Sequence, residues 1–251
     1  MQNQRTRHHH QNGYSLLELV LVLAIVAVLV GLLLPKGFDA LRNARIQQVE
    51  KTVDTLKTAL TDYLSMVGGN GSLPRTEGTG IPTSGAALTG ATDVAKGNAA
   101  RLDTVLLATG KIERPLTLKM GTQSFSSTGT GNEITWSQAS LGFVMTPDAA
   151  PQRNWSTVTR AEARTANPAL APSAALGANF RLDGVTNISA NYVIAYLVIP
   201  ACPAKDAYEL ALAMNGAQLA PVEGAVCDTG VVAYAAPANG VTDVYIYLTS
   251  I

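Results

Sequence analysis

The sequence predicts an α+β fold, in which one long N-terminal α-helix packs against an antiparallel β-sheet. Three observations predict it. Residues 14–34 are an almost uninterrupted apolar run. An amphipathic pattern continues from that run as far as Val67. Beyond it, short β-prone segments alternate with Gly-, Ser- and Pro-containing turns, and no internal repeat is visible.

The leader comes first. Residues 1–12, MQNQRTRHHHQN, are polar and basic. A secretory signal peptide would follow its apolar core with a small-x-small cleavage site. Here the core runs into LLLPKGFDALRNARIQQ, so the apolar segment is expected to stay in the mature chain. The triplet His8 to His10 is short for an affinity tag and reads as native sequence.

The helix follows. About 20 apolar residues suffice to cross a bilayer. Phe38, Leu41, Ile46, Val49, Val53, Leu56, Leu60, Leu64 and Val67 then recur mostly at spacings of three and four, with a longer gap between Leu41 and Ile46. Arg42, Arg45, Gln48, Glu50, Lys51, Asp54 and Lys57 fill the other faces, as in an amphipathic helix. Residues 15–67 are therefore predicted to be one helix of about 80 Å, at ~1.5 Å per residue. Gly68, Gly69 and Gly71 mark its end, since glycine takes the left-handed C-cap readily.

Two positions mark a weak point. Pro35 has no N–H, so the carbonyl of Gly31 loses its helical donor, and glycine is itself a poor helix former. Either a tolerated kink or a segment that unwinds between Gly31 and Pro35 fits. Ala24, Ala27 and Gly31 share one face, where another helix could approach closely; in an Ala-rich chain this also arises by chance.

Glu18 is the one charge between Tyr14 and Leu34. A carboxylate in lipid costs roughly 2.5–3.5 kcal/mol on insertion scales. An anchor alone would carry an apolar residue there, so Glu18 is expected to have a partner.

Gly13-Tyr14-Ser15-Leu16-Leu17-Glu18, with a basic leader before it and an apolar run after it, resembles the class III signal of type IV pilins and type II secretion pseudopilins. Pro35 stands where that family has its helix-interrupting proline. The resemblance covers roughly residues 5–67; beyond them it is one of architecture. It implies cleavage between Gly13 and Tyr14 by a membrane prepilin peptidase, and N-methylation of Tyr14. It also implies that Glu18 pairs with the N-terminal amine of a neighbouring subunit. Such pairing would satisfy two charges that neither chain can satisfy alone. Tyr at the first mature position is less usual than Phe or Met, and the leader length lies between those of the two pilin subclasses. Cations flank the apolar run on both sides (Arg5 and Arg7, then Lys36, Arg42 and Arg45), so orientation rests on the resemblance rather than on charge.

The expected organisation is a cleaved leader (1–13), a transmembrane and filament-core helix (14–35), an amphipathic helix of the globular domain (36–67) and a globular region (68–251). Residues 68–98 read as a long irregular loop. Residues 99–110 suggest a short helix, with Leu102, Val105 and Leu106 on one face and Gly110 as its cap. Residues 116–125, 133–137 and 141–146 read as strands, 147–179 resist assignment, and 192–199 read as a central strand buried on both faces. Residues 203–214 suggest a helix with Pro203 in its first turn, and 231–234 and 241–248 close the sheet. The resemblance further suggests a distal disulfide between Cys202 and Cys227, consistent with export to an oxidising compartment.

Composition narrows the function classes. Of 251 residues, 47% are hydrophobic and 14% charged, the latter well below the usual ~25%. Lys plus Arg and Asp plus Glu both number 18, so no global field would draw in nucleic acid, although a local basic patch stays open. All three histidines lie in the leader, which removes His-based triads and metal sites from a cleaved chain. Asp183, Asp206, Glu209, Glu223 and Asp228 fit no EF-hand spacing and read better as turns and solvated faces. Trp136 and Trp155 read as core residues, and Asn154 and Asn187 begin glycosylation sequons of a kind common by chance. No enzyme and no cofactor is expected.

The resemblance implies a structural subunit of a type IV pilus. The partners would be further copies of the chain in a helical filament, the prepilin peptidase and the assembly machinery. The precursor would lie in the inner membrane and the product at the cell surface. A type II secretion pseudopilin, or a minor or tip pilin acting as a binding module, is the alternative.

Overall fold

The computed structural model of the chain describes residues 16–65, 73, most of 102–121, 135–139, 142–146, 159–174, 177–219 and 221–251. Its first element, α1, is one α-helix over Leu16–Leu64, about 74 Å long at ~1.5 Å per residue. The helix assignment is unbroken across Gly31 and Pro35. The expected helix break is thus no break in this structure. Proline forfeits one hydrogen bond, but its φ near −65° is itself helical. The expected cap at Gly68 and the loop 68–98 lie outside the described residues, apart from Leu73, which is buried.

The chain divides into two compact units, with the boundary between Asn43 and Ala44 inside α1. In the first unit every described large apolar side chain is exposed, from Leu16 at 83% to Val26 at 47%. In the second, Ile46, Val49, Val53, Leu56, Leu60 and Tyr63 are buried at alternating spacings of three and four. The expected apolar face began earlier, at Phe38 and Leu41, but both are exposed. Single-faced burial starts after the longer gap in the pattern.

The second unit contains a β-hairpin, a four-stranded sheet and a second helix. Strands β1 (Thr135–Ala139) and β2 (Gly142–Thr146) pair antiparallel. Strands β3 (Arg160–Thr165), β4 (Val193–Pro203), β5 (Val232–Tyr234) and β6 (Val241–Ser250) form an antiparallel sheet in the order β3-β4-β6-β5. Helix α2 (Ala204–Asn215) leaves the end of β4 directly, with Pro203 at its N-cap. Pro203 has no N–H to leave unsatisfied at that helix end.

β4 is central, and its residues Ile194 to Pro200 are all buried. Alternation explains how. Ala195, Leu197 and Ile199 join the cluster that includes the buried face of α1. Ile194, Tyr196 and Val198 join a second cluster with Phe180 and Tyr245. A bulge between Ile199 and Cys202 bends the strand's end. There Ala201 takes a positive φ, and its N–H donates to the Asp243 carboxylate at 2.8 Å.

Two expectations about strands need correction. Among its described residues, the segment 116–121 has no strand, although Leu116, Leu118 and Met120 are buried in alternation. They fill the core without a ladder partner. Conversely, β3 arises from a stretch that resisted assignment. Its inward residues are Ala161 and Ala163, both wholly buried, and RAEART has neither the β-branched run nor the aromatics that mark a strand.

Candidate assembly helix and the polar ties of the domain

The first half of α1 is long and apolar enough to cross a membrane, with a mean hydropathy of 3.1 over an 18-residue window, none of it buried. Glu18 lies in its first turn and is exposed. An anion there is favoured by the helix dipole, whose positive end it faces. Ala24, Ala27 and Gly31 are exposed as well, and a Cβ added at Gly31 would meet nothing within 4 Å. The small-residue face is therefore open. Gly13 and Tyr14 lie outside the described residues.

The expected disulfide is absent. Cys202 and Cys227 are free and buried. The sheet register explains why. Cys202 pairs with Thr242 across β4 and β6, whereas Cys227 bridges to Tyr234. The Cys227 thiol donates instead to the Val232 carbonyl at 3.1 Å and accepts from the Asn215 amide at 3.5 Å. Burial, and then the charge of Asp206, pushes the Cys202 thiol up to about 12. Burial pushes Cys227 up to about 11. Both stay protonated near neutral pH and are poor nucleophiles.

Asn215 makes the tie that sequence reading assigned to sulfur. It ends α2, before Gly216 at a φ of 74°. Its amide donates to the carbonyls of Thr229 at 2.8 Å and Val232 at 3.1 Å. Its oxygen accepts the N–H of Val232 at 2.8 Å. Gly230 lets the loop approach this closely, since a Cβ there would stand 2.4 Å from Asn215. The end of α2 is thus joined to the start of β5 by hydrogen bonds. An Asn before a Gly reads as an ordinary helix stop, so nothing local marked it.

Three of the acidic residues make separate local ties. Asp183 accepts N–H bonds from Thr186 at 2.7 Å and Val185 at 2.9 Å, and these hold its carboxyl down at about 2. Asp228 accepts the N–H of Ser173 at 2.9 Å. Asp206 is buried in the first turn of α2 and lies 3.8 Å from Arg45 of α1. Glu209 is half-buried on α2 and Glu223 is exposed. Among the described residues no three His, Cys, Asp or Glu gather as a metal site.

A further cluster was not foreseen. Glu162 on β3 takes an ion pair from Arg160 and a hydrogen bond from the Tyr196 hydroxyl. Burial raises the Tyr196 phenol well above its ordinary value, and the Glu162 charge adds to that. Alternation along β3 points Arg160, Glu162 and Arg164 to the face opposite the two alanines, a pattern visible once the strand is known. Of the two sequons, Asn187 already donates to the Pro168 carbonyl and accepts from Arg181, each at 2.8 Å, while Asn154 lies outside the described residues. Trp136 lies on β1, and Trp155 is outside the described residues.

No curated protein and no solved structure matches the chain. Residues 8–34 match the family described as the prokaryotic N-terminal methylation motif. Together with the apolar helix, the motif fits a membrane-anchored precursor. The chain carries the class III signal of type IV pilins and pseudopilins, and this motif supports its processing by prepilin peptidase.

Proposed function

We propose that the chain is a structural subunit of a type IV pilus, cleaved after Gly13, N-methylated at Tyr14 and polymerised through the first half of α1. The observation that carries this reading is a helix half that is apolar on every face, exposed on every face and marked by one acid in its first turn. A bilayer satisfies the apolar surface before assembly. Packed helices of neighbouring subunits satisfy it afterwards, and the new amine of one Tyr14 meets the Glu18 of another. Gly31 and Pro35 are the segment where the helix would yield if packing demanded a longer reach. The domain from residue 44 onward would coat the filament and serve adhesion, aggregation, motility or DNA uptake.

A type II secretion pseudopilin is the second reading. The free thiols favour it to this extent: a distal disulfide would point to a pilus, and the two cysteines do not form one.

The test is intact-mass and N-terminal peptide analysis of material sheared from cells. Expected is a chain beginning at methylated Tyr14, abundant in the sheared fraction. The same terminus confined to membranes would move the assignment to a pseudopilin or minor subunit. A chain still carrying His8 to His10, beside an active prepilin peptidase, would overturn the filament reading. The Glu18→Ala variant should still fold and insert, yet lose at least about tenfold in sheared filaments, since ~1.4 kcal/mol per contact already gives that factor.

A further inference from the structure

The chain is neutral overall, but one groove of the folded domain is not. A cavity of about 470 Å³ lies between the second half of α1 and the segment 111–116. Lys51, Lys111 and Arg114 line it against one carboxylate, Glu113. Three cations less one anion leave a surplus of two positive charges.

The groove is built before any ligand arrives. Its apolar lining, Leu56, Ile112 and Leu116, is at most 7% exposed and belongs to the core. The turn carrying Lys111 is closed by two N–H bonds to the Leu106 carbonyl, from Lys111 at 2.8 Å and Ile112 at 3.3 Å. Gly110, at a φ of 69°, permits that turn. Little backbone ordering is left for binding to cost.

Two threonines select the ligand class. The Thr52 hydroxyl donates to the Gln48 carbonyl at 2.8 Å, and Thr55 donates to the Lys51 carbonyl at 2.9 Å. Their protons are committed to the helix, so their oxygens offer the groove only lone pairs. The lining thus combines cationic donors, neutral acceptors and an apolar floor. A phosphate group uses the donors alone. A sugar acid uses all three, with a carboxylate, hydroxyl protons and a C–H face.

We propose that this groove binds a carboxylate-bearing unit of an acidic saccharide. Arg114 takes the carboxylate with its planar fork, and Lys51 and Lys111 add charge beside it. Thr52 and Thr55 accept sugar hydroxyl protons, and the ring lies toward Ile112 and Leu116. The volume falls within the range of small-molecule sites, ~300–1,000 Å³. The groove lies wholly within the second unit, so the proposal does not depend on polymerisation.

The test is titration of the purified full chain in detergent with trigalacturonate. Its methyl ester, inorganic phosphate and a short DNA oligonucleotide are titrated in parallel. Expected is saturable one-site binding of trigalacturonate, with each of the other three at least about tenfold weaker, a gap of ~1.4 kcal/mol. Arg114→Gln should weaken trigalacturonate about tenfold, and Thr55→Val a few-fold, both with unchanged melting. Both positions are exposed, and Thr55→Val keeps every charge. Phosphate or DNA binding as tightly as trigalacturonate would overturn the proposal in favour of a general anion site. Absence of saturable binding, or equal affinity in wild type and both variants, would also overturn it.

Discussion

The two halves of α1 share one backbone helix and differ in where their apolar surface goes. From Leu16 to Leu34 the apolar side chains point in all directions and none is covered. From Ile46 to Tyr63 they form one stripe, and that stripe is buried. The remaining faces of the second half are polar. Thr52, Thr55, Thr58 and Thr61 each return a hydrogen bond to the carbonyl four residues back, at 2.8–3.0 Å. The difference teaches how to read such a helix. A stripe with polar flanks names a partner within the same chain, whereas an all-round apolar surface names a partner outside it.

The largest expected effect tests that contrast directly. Leu56 is wholly buried, so Leu56→Ala should destabilise the domain by about 2–5 kcal/mol, the usual range for a core leucine. Leu23 is 59% exposed, and Leu23→Ala should leave unfolding of the domain unchanged. It should instead weaken what the first half does outside its own fold, namely membrane retention and filament yield. Urea unfolding of the full chain in detergent, followed through the tyrosines, measures the first. Equal losses of stability in the two variants would break the comparison.

A middle-sized effect concerns how the second region closes on itself. Asn215→Ala removes four hydrogen bonds and strands the N–H of Val232, whose carbonyl keeps the Cys227 thiol as a donor. The expected loss is about 1–3 kcal/mol, the usual cost of one buried group left unsatisfied. Thiol labelling gives a second readout. In the native protein neither cysteine should react at pH 8, because burial holds both thiols well above that pH. In the variant, Cys227 should label first, since Asn215 covers its sulfur. Unfolding in denaturant without reductant should release both thiols. Release of neither would restore the disulfide and remove Asn215 from its place as the main tie.

Most of the architecture was legible because burial leaves a pattern. β4 announced itself as a continuous apolar run, and the buried stripe of α1 by its spacing. β3 was not legible, because its inward residues are alanines and nothing in RAEART carries the β-branched or aromatic signal of a strand. The β5–β6 turn was legible in principle: Asn239 and Gly240 both take positive φ between the paired Ala238 and Val241, which is what an Asn-Gly hairpin requires. The cysteines misled because counting thiols ignores register. Glu18 could be singled out from sequence alone, since a charge in an apolar run needs no fold to stand out. The ties made by Asn215 and Glu162 required the fold, because each depends on residues far along the chain.

The smallest expected effect probes the edge of the comparison. Asp183 is as exposed as the apolar half of α1, yet it is locally held. Its carboxyl is depressed from 3.8 to about 2, first by the Thr186 N–H and then by that of Val185. A depressed acid favours the folded state when ionised. Its contribution is therefore fully present above the ordinary value and is lost as pH falls through about 2. Asp183→Asn keeps an acceptor oxygen but cannot titrate. Wild type should be slightly more stable than the variant at pH 5, and the gap should close as pH falls toward 2. Amide exchange at Val185 and Thr186 is the sensitive measurement, because an exposed turn opens locally without unfolding the domain. A gap that persists unchanged at low pH would mean that the side chain's shape, and not its charge, holds the turn.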